Sequence, residues 1–224
     1  MAVYKKSISN FKKNDFLWYM YVPNEFKPND ASEVHEFLKA NPFGILINNS
    51  DNQESVATHM PFLIKSNQDE LILEGHIARA NKHSELIRDA RSTLVVFQGP
   101  HAYISSSVYS HENVPTWNYQ AVHVYGTTSK MSDGELSKHL EEMVHHHESG
   151  REHRLDYSKL SEDMIAANQK EILGFKITAY RIEAAFKLSQ NRNETDLGNI
   201  IEDLNSDEKN RPIVEAMDRS RKKD

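Results

Sequence analysis

The 224-residue chain contains no cysteine. Disulfide bridges, zinc–thiolate sites and cysteine nucleophiles are therefore excluded. Long apolar runs are missing too. FLWYMYV, residues 16–22, is the longest near the N-terminus and is far too short to cross a bilayer. No small-residue cleavage site follows it, so the expectation is a cytoplasmic protein with no membrane association. The glycine patterns of a P-loop and of a dinucleotide-binding turn are absent. So is the G-x-S-x-G elbow of a hydrolase, and no internal repeat is visible. Nor is there an excess of positive charge. The formal net charge is -6, and nothing global points to nucleic acid. Only the ends lean basic: residues 1–19 carry four lysines against one aspartate, and the chain closes on DRSRKKD.

What is present is enough apolar surface for a core. Hydrophobic residues make up 38% and charged residues 27%, a globular balance rather than a disordered one. The length suits one large domain, or one domain with an added subdomain. Met20 opens a stretch that reads as a natural beginning, so residues 1–19 are expected to be a flexible N-terminal extension.

Periodicity divides the rest. Asp30 with Glu33 forms a capping-box-like start, and Val34, Phe37 and Leu38 then recur at helical spacing, which predicts a helix over 31–40. Strands are expected at 43–47, at 54–65 with Pro61 inside, and at 70–78. A short helix follows in NKHSELIRDA. TLVVFQ and AYISS read as two strands separated by Gly99-Pro100, and YQAVHVYGTTSKM as a longer one. Ser132 with Glu135 caps a helix that Gly150 stops. LSEDMIAANQKEI is a further helix. GFKITAYRIEAAFKL is a final long strand whose apolar parity changes near Tyr180-Arg181, implying a bulge or bend there. TDLGNIIEDL is an amphipathic helix, and the tail adds a turn or two around Ile213, Val214 and Met217. The sum is α+β: mainly β, a six- to seven-stranded antiparallel barrel with peripheral helices. Its limits are 20–192, with inserted helices over about 132–171 and a C-terminal helical segment and basic tail over 193–224.

Four stretches carry polar chemistry. VHHHESG at 144–150 places three histidines in a row. Neighbours on a helix point about 100° apart, so they do not form a metal face, and no metal site is assigned. EGHIARANKHSEL ends a strand and opens a helix with Arg79, Asn81, Lys82 and His83 clustered, a donor set that suits a phosphate. VPTWNYQAVHVYG puts Tyr119, Ala121, His123 and Tyr125 on one strand face and Gln120, Val122 and Val124 on the other. FQGPHAYISSSVY gathers His101, Tyr103 and Ser105 to Ser107 between two apolar runs, without an acid to complete a triad.

Taken together, MYVPNEF, VATHMPF, EGHIARANKH, FQGPHAYISSS, VPTWNYQAVHVYG, GFKI and AFKLSQNR closely resemble the PaiB family of FMN-binding negative transcriptional regulators, from Met20 to about Met217. The resemblance implies a split β-barrel of FMN-binding type, similar to that of pyridoxamine phosphate oxidases and flavin reductases, and a homodimer with flavin between subunits. It implies that Arg79, Asn81 and Lys82 hold the flavin phosphate, that Thr58, His59 and Met60 run along the flavin edge, and that His76 and Ile77 neighbour the ring. His101 and Ser106 would offer hydrogen bonds to the flavin or to what binds over it, and Gln120 resembles a flavin-facing glutamine. The oxidases' Arg-Leu-His-Asp-Arg motif resembles the segment holding Lys187, Gln190 and Arg192, but its first Arg and its Asp are replaced, which separates this chain from pyridoxal phosphate chemistry. The implied role is a repressor of protease and sporulation-type genes, acting on DNA or through a regulatory protein partner. A flavin-dependent reductase or oxygenase, with haem binding or breakdown included, stays open as the alternative; His59, His76, His101 and His123 would then face a substrate or the haem iron.

Overall fold

The computed structural model describes residues 20–66 and 70–221; the extension expected over residues 1–19 lies outside them. Seven strands form one antiparallel sheet in the order β2-β1-β5-β6-β7-β4-β3. They are β1 (Phe43–Asn49), β2 (Ser55–Pro61), β3 (Leu63–Ser66), β4 (Leu71–Ala78), β5 (Ser92–Ile104), β6 (Thr116–Lys130) and β7 (Ile172–Lys187). Five α-helices accompany them among the described residues: α1 (Ala31–Ala40), α2 (Asp133–Glu148), α3 (Glu162–Lys170), α4 (Glu194–Asn205) and α5 (Arg211–Arg221). None of these helices is long and apolar enough to cross a membrane.

The expected strand count holds, though two boundaries differ. The strand expected over 54–65 is two strands. β2 pairs with β1 and β3 pairs with β4, with Phe62 alone between them. The Phe62 N–H donates to the Pro42 carbonyl at 2.9 Å, and its ring is buried against Phe175. The ladder changes partner at that anchor, so the two outermost strands of the sheet are consecutive in sequence. Conversely, the two strands expected on either side of Gly99-Pro100 are the single strand β5. Gly99 marks a close approach: a Cβ there would lie 2.5 Å from the Phe37 ring of α1. Glycine in a strand often signals such an approach rather than an end.

The caps behave as their residues dictate. Asp30 accepts from the Glu33 N–H, and Ser132 with Glu135 forms a complete capping box at α2. Ser149 and Gly150, the latter at φ 87, end α2. α5 is longer than the turn or two expected, and it buries Ile213, Val214, Ala216 and Met217.

The chain forms two compact units. One comprises Pro42–Val96 and Val124–Ile182; the other comprises Phe97–His123, the residues from Glu183 on, and the described residues up to Asn41. In the first, Leu46, Phe62, Leu73, Val95, Val124, Phe175 and Ile177 are fully or almost fully buried. In the second, Leu38, Phe97, Ile104, Val122, Phe186, Ile200 and Leu204 are. Burial at this level is the main stabilising term of each unit.

Candidate functional site

The first unit holds Thr58, His59, Met60, His76, Ile77, Arg79, Asn81 and Lys82; the second holds His101, Ser106, Gln120, Lys187, Gln190 and Arg192.

In the first unit, β4 runs into a tight turn at Arg79 and then a 3-10 helix over Lys82–Leu86. The turn is built from its own polar groups. The Asn81 N–H donates to the Ala78 carbonyl, and the Asn81 side chain accepts from the His83 N–H at 3.0 Å. Ser84 Oγ donates to the Arg79 carbonyl. Arg79 is anchored twice: its N–H donates to the Glu171 carbonyl at 2.8 Å and its Nε to the Lys170 carbonyl at 3.1 Å. Arg79 and Lys82 are exposed, and no carboxylate among the described residues pairs with either. Two cations on one anchored turn, with no counter-charge among the described residues, fit a phosphate. Asn81 is exposed, and its side-chain oxygen is committed to the turn.

Thr58, His59 and Met60 separate along β2. His59 is exposed and stacks near Phe43, with centroids 6.4 Å apart. Met60 is in the core: its methyl would lie 2.7 Å from a Cβ at Gly75. Thr58 is half-buried, and its Oγ1 is 2.8 Å from His83 Nδ1. His83 Nε2 is 3.1 Å from Asn48 Oδ1, and Asn48 Nδ2 is 2.8 Å from Thr93 Oγ1. Asn48, His83 and Thr93 are all buried. Burial pushes the His83 imidazole below its ordinary pKa, so it is neutral.

His76 and Ile77 point to opposite faces of β4. Ile77 is core. His76 faces α2, where its Nδ1 is 3.0 Å from His139 Nε2. His139 is buried, and its Nδ1 is 3.7 Å from Glu74 Oε2, too long for a hydrogen bond. Lys65 bridges Glu74, at 2.8 Å, to Glu142 of α2. Burial alone would raise the Glu74 carboxyl, but His139, Lys65 and Lys176 outweigh it and lower its pKa to about 2. Burial, then the neighbouring His139, lowers His76 to about 4. His145, His146 and His147 lie exposed in the last turn of α2.

In the second unit, His101 and Tyr103 of β5 and Trp117 of β6 make an exposed aromatic group, with His101–Trp117 centroids at 5.6 Å and Tyr103–Trp117 at 6.0 Å. Ser106 opens a short 3-10 turn. Gln120 is half-buried on the same face of β6 as buried Asn118 and Val122, while Tyr119, Ala121 and His123 form a half-exposed second face. Lys187 Nζ donates to Thr116 Oγ1 and lies 5.6 Å above the Phe26 ring. Burial, then the nearby Arg192, lowers the Lys187 pKa. The Arg192 guanidinium stacks 4.6 Å from the Tyr109 ring. Gln190 turns inward: its Oε1 accepts from the Leu188 N–H and its Nε2 donates to the Phe186 carbonyl.

Sequence reading passed over Asn48, Thr93 and the buried contacts of His139. Asn48 carried a signal, a polar residue at the parity of Leu46 in an apolar strand. His139 carried one as well, a titratable group three residues beyond Leu136 on the apolar helix face.

Related proteins bear on the fold and the family. The family model described as "Putative FMN-binding domain" matches residues 20–181. A Bacillus subtilis (strain 168) protein, Protease synthase and sporulation protein PAI 2, is 44% identical over 189 residues, which cover 84% of this chain and 91% of that relative. The chain belongs to the PaiB family of FMN-binding-domain proteins. Among solved structures, this PaiB-family chain is similar to the FAD and heme binding protein from Mycobacterium smegmatis (TM-score 0.54, 14% identity, 76% of this chain and 78% of that one). It is similar also to the flavocytochrome Anf3 from Azotobacter vinelandii (TM-score 0.52, 13% identity, 76% and 74%). These likenesses establish the split-barrel fold.

Proposed function

We propose that this PaiB-family protein binds FMN and acts as a negative regulator of protease and sporulation-type genes. The observation that carries this reading is the 44% identity to the Bacillus subtilis protein named for those processes, extending over 91% of its length. FMN is favoured over riboflavin, because Arg79 and Lys82 offer two exposed cations to a phosphate and riboflavin has none. Arg79 and Lys82 would hold that phosphate, Thr58 would meet the ring, and the anchored turn would orient both. When bound, the flavin supplies one- or two-electron redox chemistry, and the protein supplies binding and orientation. In this reading the working unit is a homodimer that reaches DNA directly or through a regulatory protein.

The first experiment is an absorption spectrum of the purified protein, with mass spectrometry of what it releases on denaturation. An oxidised-flavin spectrum and a released mass of FMN support the reading. A colourless protein that takes up no added FMN overturns the cofactor assignment. For the regulatory half, promoter-DNA affinity is measured across a salt series. Direct contact with phosphates gives a steep loss of affinity as salt rises, and no binding at any salt removes direct DNA contact.

The buried chain from Thr93 to Thr58 favours a second reading, a flavin-dependent reductase or oxygenase. A buried polar network of this kind is costly unless fully satisfied, and such networks orient groups at reaction centres. Bleaching of the bound flavin by NADH or NADPH, or a haem-like Soret band, would move this reading ahead.

A further inference from the structure

The polar chain ending at Thr58 has a direction, and hydrogen-bond accounting determines it. Asn48 Nδ2 lies 2.8 Å from Thr93 Oγ1 and 3.3 Å from the Ser92 carbonyl. A carbonyl has no hydrogen to give, so the Asn48 amide NH2 must face it. Asn48 Oδ1 is then the atom facing His83 Nε2, at 3.1 Å, and it can only accept. His83 therefore carries its proton on Nε2. The ring is buried and neutral, so Nδ1 is bare and accepts. Its partner at 2.8 Å is the Thr58 hydroxyl, which must donate.

That leaves Thr58, the half-exposed end of the chain, with lone pairs and no free hydrogen. An ordinary threonine hydroxyl rotates to donate or accept as a ligand requires. This one is locked as an acceptor by a residue behind it. The same His83 donates its backbone N–H to Asn81 Oδ1 at 3.0 Å and so ties down the turn that displays Arg79 and Lys82. One buried residue thus meets Thr58 through its ring and the turn through its backbone N–H, within the first unit.

We propose that His83 is a positioning residue of the flavin site: its imidazole holds Thr58 as an obligate hydrogen-bond acceptor for an N–H of the isoalloxazine ring. This inference rests on the flavin reading above. The ring presents an N–H when oxidised and gains more when reduced, so the acceptor has a partner in either state.

The test is equilibrium binding of FMN and riboflavin to the full chain and to Thr58→Val, His83→Met, the double variant and His83→Gln, with the visible band of the bound flavin recorded for each. Loss of one hydrogen bond should weaken both ligands by about threefold to tenfold in Thr58→Val. His83→Met should weaken FMN and riboflavin alike, because the backbone N–H that ties residue 83 to Asn81 is kept in the variant. The double variant should bind no worse than Thr58→Val, because His83 acts only through Thr58. The flavin band should shift alike in Thr58→Val and His83→Met. It should return towards wild type in His83→Gln, which supplies an amide oxygen to Thr58 and an N–H to Asn48. Urea unfolding of each variant separates loss of fold from loss of positioning. Additive losses, or a band that moves in His83→Met but not in Thr58→Val, would overturn the proposal while leaving the flavin reading intact. Failure of the wild-type chain to bind either flavin would instead remove the reading beneath it.

Discussion

His76 Nδ1 lies 3.0 Å from His139 Nε2, and the pair is wedged between β4 and α2 with Glu74 on the far side. The two imidazoles cannot both be charged at that distance without strong repulsion. Burial is the larger cause and the neighbouring His139 the second, and together they lower the His76 pKa from 6.5 to about 4.

This makes stability depend on pH in a specific window. Between 6.5 and 4 the unfolded chain binds a proton at His76 that the folded chain refuses, so stability is full above 6.5 and is lost as pH falls towards 4. The whole effect is on the order of 3 kcal/mol. Glu74, lowered to about 2, adds a further loss in the same direction below 4.5. Urea unfolding midpoints across pH should therefore slope downwards from 6.5, and His76→Asn should flatten the part above 4.5. An unchanged slope in the variant would place the titration elsewhere.

The cationic turn should read phosphate, not ring. Arg79→Ala combined with Lys82→Ala is expected to weaken FMN by at least tenfold and to leave riboflavin within about twofold, since charge-assisted hydrogen bonds are worth about 1.5–3 kcal/mol each. Isothermal titration with the two ligands measures both. Equal losses would mean that the phosphate sits at another place.

Two glycines should respond oppositely to alanine. At Gly126 in β6 a Cβ would lie 2.4 Å from Ile177 Cγ2 and 2.6 Å from the Thr178 carbonyl oxygen. Backbone cannot yield as a side-chain tip can, so Gly126→Ala should cost about 1–3 kcal/mol or more. At Gly198 in α4 nothing lies within 4 Å. There Gly198→Ala should stabilise by about 0.5–1 kcal/mol through helix propensity. Thermal unfolding of the two variants checks the contrast.

A buried polar pair holds the end of β7. Asn118 is fully buried, and its amide exchanges hydrogen bonds with Ser189 Oγ at 2.9 and 3.0 Å. Ser189 has φ 66, a left-handed conformation. Asn118→Leu strands the Ser189 hydroxyl and should destabilise by about 1–3 kcal/mol, whereas Ser189→Gly, which loses both bonds but relieves the left-handed backbone, should cost less. Chemical denaturation of both variants compares them.

Local features were legible in the sequence wherever the cause was local. Asp30 and Ser132 mark helix starts because a short polar side chain reaches its own N2 or N3 amide, and no tertiary contact is needed. The Arg79–Lys82 turn was legible for the same reason. The strand boundaries at Phe62 and Gly99 were not. Proline and glycine there read as a bulge and a break, but their meaning depends on which chain segment lies opposite.

By itself, then, the sequence determined the helices, the alternating strands, the lack of thiol chemistry and the cationic turn. All follow from the intrinsic geometry of nearby residues. Only the tertiary structure decided that β2 and β3 end opposite edges of the sheet order, that His76 meets His139 across 63 positions, and that Thr58 meets His83 across 25. Those pairings form because burying apolar faces brings distant segments together, and the polar groups carried along must then find partners within reach.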